Sequence, residues 1–98
     1  MLVTIALLDP EARHMIVLNG SDISNAPKMV LPPGRDDYLT ALDVRKLAWA
    51  VGQVRGVVKT APLSQLLGDE VSPGEGLTGE DLKVWVVLLP AVAIFLHS

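Results

Sequence analysis

Residues that could support catalysis are few and lie far apart in the 98-residue chain. His14 and His97 have no serine or carboxylate at the spacing of a known catalytic motif. Asp36 and Asp37 are adjacent, so in an extended segment their side chains point to opposite sides and do not suit an acid–base pair. Cysteine is absent, which excludes a thiolate nucleophile and a disulfide. We therefore predict no catalytic residues and a protein that is not an enzyme.

An acidic stretch, residues 69–81, is the second candidate for chemistry, because it holds several carboxylates and no basic residue. Carboxylates among glycines are typical of calcium loops, but the alternating ligands of an EF-hand are missing. Gly74, Gly76 and Gly79 also lack the lysine and the strand-to-helix context of a phosphate-binding loop. We expect neither a metal nor a cofactor here, and we interpret the carboxylates as helix caps and ordinary loop charge.

Positive charge concentrates in residues 41–60, where four basic residues face the single Asp43. They are Arg45, Lys46, Arg55 and Lys59. This segment carries +3, so the net charge of −3 leaves −6 on the rest of the chain. Trp49 lies among the cations, as on surfaces that stack and neutralise nucleic acid. No nucleic-acid-binding motif accompanies the pattern and the net charge is negative, so nucleic acid is an unlikely main partner.

The chain as a whole predicts one small α+β domain. Two β-branched runs, 2–8 and 15–18, are joined by Asp9-Pro10, which suits a type I turn and predicts an N-terminal β-hairpin. A third short strand is possible at residues 29–31. The predicted segments are a β-hairpin (1–20), a Pro-rich loop (21–39), a long central helix (40–60), a short turn and acidic loop (61–77), and a hydrophobic C-terminal element (78–98).

The central helix has the clearest start. Thr40 and Asp43 match a capping box, whose hydroxyl and carboxylate accept from free amides at a helix N-terminus. Gly52 and Gly56 lie four residues apart with Ala48 on one side of this helix, although glycine costs a helix about 1 kcal/mol relative to alanine. Such spacing indicates close approach of another backbone, either the C-terminal run of this chain or a second copy. The alternative is that the pattern is chance, because both residues are common.

The run from Val84 to Leu96 contains no charge and no hydroxyl. As a helix it would span about 20 Å, less than the roughly 30 Å hydrocarbon core of a membrane. A second capping box at residues 78–81 favours a helix, whereas the valines favour strand and Pro90 interrupts a helix. We predict a helix that is kinked at Pro90 or ends near it, with two strands as the alternative.

Composition gives the main functional indication. Half of the residues are hydrophobic and 19% are charged, against roughly 25% charged in typical soluble domains. Surplus apolar surface of this kind is usually covered by another protein or by lipid. The N-terminal run has no basic leader, so we predict no signal peptide and a location in the cytoplasm or within a macromolecular assembly.

We therefore predict a non-catalytic protein–protein interaction or assembly protein. It would form a homo-oligomer or dock into a larger complex such as a virion or a multisubunit machine, and no small-molecule substrate is evident. The predicted interface residues are Trp49, Trp85 and Phe95 as aromatic anchors, with Gly52 and Gly56 allowing close approach. The first alternative is a small membrane-associated accessory protein that uses residues 84–96. The second is a regulatory binder of nucleic acid or of an acidic protein through the 41–60 helix.

Overall fold

The computed structural model describes residues 1–34, 38–88 and 92–97. Helices and antiparallel strands are mixed along the described chain, which confirms the α+β class. In chain order the elements are β1 (Leu2–Ile5), β2 (Met15–Val17), β3 (Lys28–Val30), α1 (Ala41–Val58), α2 (Leu63–Leu66), β4 (Glu70–Ser72), α3 (Gly79–Leu88) and β5 (Val92–Leu96).

The body of the molecule is a three-stranded sheet with two helices packed on one face. The strand order is β1-β5-β4, and β5 is antiparallel to both neighbours. Val51 of α1, Val86 of α3 and Ile94 of β5 are fully buried in one cluster. The two longer helices therefore cover the face of the sheet that Ile94 presents, while Phe95, next along β5, is half exposed on the other face.

Helix α1 forms where local signals predict it. The hydroxyl of Thr40 accepts a hydrogen bond from the amide of Asp43 at 3.2 Å, as in the predicted cap. Val44, Leu47 and Val51 are buried along one side and form the core face of the helix. The Asp43 carboxylate also accepts from two amides more than thirty residues earlier in the chain, those of Glu11 and Ala12.

The predicted hairpin over residues 1–20 is wrong. Strand β1 pairs with β5 from Leu2↔Phe95 to Ile5↔Val92, whereas β2 pairs with β3 in a separate two-stranded sheet. The turn residues at Asp9-Pro10 do not bring β1 and β2 together, because Asp43 holds the following segment against α1. The short strand expected at residues 29–31 is confirmed in β3, shifted by one residue.

The C-terminal run combines both predicted alternatives. A helix begins at Gly79 and continues to Leu88, and a strand runs from Val92 to Leu96. Pro90 lies outside the described residues. A helix continuing past the proline is therefore wrong, because alternate residues of β5 are buried and its β-branched side chains pair with β1.

Residues 61–77 also differ from the prediction in one respect. The short helical turn is confirmed as α2, but the acidic loop contains strand β4 at the edge of the sheet. Glu70 can occupy a strand because Arg55 of α1 neutralises its carboxylate, with a distance of 2.9 Å between Arg55 Nε and Glu70 Oε2.

Candidate interaction surface

The ribbon of β2 and β3, with its connection, projects from the body, and we call residues 15–30 the arm. Its cross-strand pairs are Met15↔Val30, Ile16↔Met29 and Val17↔Lys28. The molecule measures 57 × 28 × 21 Å, with a radius of gyration of 17.2 Å. A compact domain of this length has a radius of gyration of about 13 Å. The arm therefore lengthens the molecule well beyond its core.

Both faces of the arm expose apolar side chains. Directly opposed residues share a face of an antiparallel ribbon and successive residues alternate, so Ile16 and Met29 lie on one face, and Met15 and Val17 lie on the other together with Lys28. Ile16 is 77% exposed and Met29 56%, while Met15 and Val17 are 47% and 39% exposed. An isolated two-stranded ribbon is at best marginally stable in water. The described part of the chain covers neither face of this ribbon completely.

The base of the arm is fixed to the start of α1. Asp43 Oδ1 accepts from the amide of Glu11, and Asp43 Oδ2 accepts from the amide of Ala12, both at 2.8 Å. Nε2 of His14 lies 2.8 Å from the carbonyl oxygen of Tyr38. The two rings also meet edge to face, with centroids 5.4 Å apart. These contacts set the direction in which the arm leaves the body.

Asp43 is the fully buried acidic residue of this base. Burial raises the pKa of its carboxyl group, but hydrogen bonds from the amides of Glu11 and Ala12 and from Thr40 together outweigh that effect and hold the pKa below its ordinary value. The folded protein therefore favours the ionised carboxylate that these amides require.

The far end of the arm is an ordered turn. Asp22 Oδ1 accepts from the amide of Ser24 at 2.9 Å and from its hydroxyl at 2.7 Å. These bonds lower the pKa of the Asp22 carboxyl group. The side-chain amide of Asn25 donates to the carbonyl of Asn19 at 3.1 Å and closes the turn. Leu18 and Ile23 lie at this end and are almost completely exposed.

A groove of about 740 Å³ lies where the arm leaves the body. Residues from β1, the arm, α1 and α3 line it. Apolar side chains dominate its walls, and among them are Ile5, Leu7, Met29, Leu39, Val86 and Leu88. His14 and Tyr38 also line the groove, and none of the described lining residues is Asp, Glu, Lys or Arg. The described walls of the groove are therefore mainly apolar.

The predicted interface residues lie on three different elements: Trp49, Gly52 and Gly56 on α1, Trp85 on α3 and Phe95 on β5. Trp49 is 66% exposed on α1, and Phe95 is half exposed on the open face of the sheet. Trp85 is partly buried against the core. A Cβ added at Gly52 or Gly56 would have no atom within 4 Å beyond their own helix. The described part of the C-terminal run therefore does not pack on the glycines. Trp49, Gly52 and Gly56 share one exposed side of α1, whereas Trp85 and Phe95 belong to other elements.

Arg55 of the basic helix forms a buried ion pair. Arg55 binds Glu70 through two nitrogens, each 2.9 Å from a carboxylate oxygen, and donates to the carbonyls of Gly74 and Leu77. Glu70 is 3% exposed and Arg55 14%. This pair links the acidic stretch, residues 69–81, to α1. The Arg55 side chain is consequently not part of the exposed surface of the helix.

The hydrophobic C-terminal run supplies a large part of the core. Val86, Val92, Ile94 and Leu96 are buried in the main cluster. Among the described residues, no helix has both the length and the apolar character needed to cross a membrane. Most of the inward-facing part of this run is therefore hidden by the chain itself.

Sequence reasoning missed the arm as a surface. Its indication was present at residues 15–18, where four apolar residues follow one another without polar alternation. A strand with one face in water normally alternates apolar and polar residues. A short run without polar alternation, followed by a polar turn, was therefore the available sign of a ribbon with apolar side chains on both faces.

Comparisons with protein-family models, with curated proteins and with solved structures found no match to this chain.

Proposed function

We propose that this protein is a non-catalytic assembly protein that associates with further copies of itself through the arm. The observation that carries the proposal is the exposure of apolar side chains on both faces of the arm, Ile16 and Met29 on one and Met15 and Val17 on the other. A surface of this kind is stable when protein encloses it from both sides, because each buried Å² of apolar surface contributes roughly 25 cal/mol.

Surface area supports the proposal. The chain exposes 6906 Å², about 1,500 Å² more than the roughly 5,400 Å² expected for a compact monomer of its size. A standard protein interface takes roughly 800 Å² from each partner. The excess is therefore large enough for the chain to contribute its share to a stable interface.

Charge favours a protein partner over nucleic acid or lipid. The arm carries Asp22 and Lys28 and no other charged residue. Binding to phosphates of nucleic acid or to anionic headgroups depends on several lysines and arginines. The arm has a single lysine, no arginine and mostly apolar faces, which suits a protein interface better than a phosphate-binding surface.

Mass measurement tests the proposal. We expect light scattering in detergent-free buffer to give the wild-type protein a mass of at least two chains. Ile16→Lys places a charge on an exposed face of the arm, so its mass should fall to that of one chain while its circular dichroism is unchanged.

Leu66→Lys is the matched control, because Leu66 is 69% exposed and lies in α2, away from the arm. It should retain the wild-type mass. A wild-type protein that stays monomeric at every concentration, or an Ile16→Lys protein with wild-type mass, would overturn the proposal.

A further inference from the structure

We propose that the groove at the base of the arm receives the far end of the arm of a second copy. The inference rests on the proposed function and names the surface that the arm contacts. The groove and the arm carry matching chemistry, since aliphatic side chains dominate both.

The geometry of the arm directs its end to another molecule. Met29 at the inner part of the arm lines the groove of its own chain, whereas Leu18 and Ile23 at the far end do not. The Ile16↔Met29 and Val17↔Lys28 pairs hold the ribbon extended. The chain's own apolar end is therefore held away from its own groove and is available to a neighbour.

The sizes agree. Six apolar side chains of the arm together expose on the order of 800 Å², which is the share that one partner gives to a standard interface. They are Met15, Ile16, Val17, Leu18, Ile23 and Met29. The groove, at about 740 Å³, is within the roughly 300–1,000 Å³ of pockets that enclose one compact ligand. It suits a few aliphatic side chains from the end of an arm.

The charges also agree. The described walls of the groove contain no Asp, Glu, Lys or Arg, and the formal charges of Asp22 and Lys28 on the arm sum to zero. Leu18 and Ile23 can therefore enter the groove without covering a charged side chain of its described walls, which would be unfavourable. Each copy offers one arm and one groove, so reciprocal exchange closes a two-fold dimer in which both arms are bound.

Complementation between two variants tests this arrangement. Ile23→Lys places a charge at the far end of the arm and leaves the groove intact, because Ile23 is fully exposed and does not line the groove. Leu88→Lys places a charge in the groove at a residue that is 75% exposed, so the fold is retained. We expect each variant alone to have the mass of one chain, and an equimolar mixture to form a complex of two chains through one intact arm and one intact groove. Leu66→Lys is the control for both.

The outcomes separate the two proposals. If Leu88→Lys alone keeps the wild-type mass while Ile16→Lys is monomeric, the arm docks elsewhere: the groove assignment is wrong and self-association through the arm stands. If the wild-type protein is itself monomeric, the proposed function fails.

If a complex held together by a single arm is too weak to isolate, disulfide cross-linking tests the groove assignment instead. The chain has no cysteine, so Leu18→Cys at the end of the arm can be mixed with Ala6→Cys in the groove under oxidising conditions. We expect a disulfide-linked pair of chains from this mixture and not from Leu18→Cys with Leu66→Cys. Equal yields in the two mixtures would overturn the groove assignment.

Discussion

The Oδ2 atom of Asp43 accepts a hydrogen bond from the amide of Ala12 at 2.8 Å, although 31 residues separate them in sequence. Oδ1 of the same carboxylate accepts from Glu11 at 2.8 Å. One fully buried side chain thus joins the start of the long helix to the segment that leads into the arm. The position of the arm follows from this contact rather than from the turn residues that precede it.

Replacing Asp43 with alanine should destabilise the fold. The change removes two charge-assisted hydrogen bonds and leaves the amides of Glu11 and Ala12 without their acceptor, at a cost of about 3 kcal/mol. Urea unfolding measures the difference. Thr40→Ala, which removes only the helix cap, should cost about 1 kcal/mol. Equal stability of Asp43→Ala and wild type would show that the contact does not hold the segment.

Acid should weaken the fold through the same residue. The pKa of Asp43 is lower in the folded protein than its ordinary value of 3.8. Its contribution to the free energy of unfolding is therefore fully present above that value and is lost as the pH falls through the folded pKa. We expect wild-type stability to decline below about pH 4 and Asp43→Asn to decline less. Unfolding curves at a series of pH values test this, and parallel declines would contradict it.

The Arg55–Glu70 pair should contribute more than an exposed ion pair. Arg55→Ala leaves the carboxylate of Glu70 buried without its partner, which costs roughly 3–5 kcal/mol. Lys83→Ala breaks the more exposed contact to Glu80 and should cost less than about 1 kcal/mol. Comparison of the two unfolding free energies tests the difference, and similar values would mean that the buried pair is not a structural tie.

The glycines of α1 discriminate between two interfaces. A methyl group at Gly52 or Gly56 meets no neighbouring atom, so each Gly→Ala change should raise the free energy of unfolding by about 1 kcal/mol. If copies associate through the arm, the mass of both variants should equal that of wild type. If copies instead pack on the glycine strip, as its spacing in the sequence indicates, the added methyl groups should reduce the mass.

Local features of this fold were predictable from the sequence, and distant pairings were not. The start of α1 at Thr40 and the helical start of the C-terminal run depend on residues a few positions apart. The partner of β1 lies some ninety residues away, and the burial of Glu70 depends on Arg55 across a turn of the chain. Neither periodicity nor composition encodes such distances, so β1 was assigned to its sequence neighbour.

The sequence predicted the apolar character of the candidate surface but not its position. Excess apolar composition correctly indicated exposed apolar residues, and Trp49 and Phe95 are both at the surface. The exposure of Met15 to Leu18 on both sides depends on which elements pack beside them. The contact of Asp43 with Glu11 and Ala12 helps to decide this packing, and no local sequence pattern predicts that contact.

Amide hydrogen exchange in the arm tests the central claim most directly. A ribbon of two strands exposed on both faces should exchange almost as fast as an unfolded chain. If a second copy encloses the arm, the amides of β2 and β3 in the wild-type protein should be protected to a degree approaching those of β1 and β5. The protection should increase with protein concentration and disappear in Ile16→Lys. Unprotected arm amides at every concentration, beside a protected β1 and β5, would contradict the account.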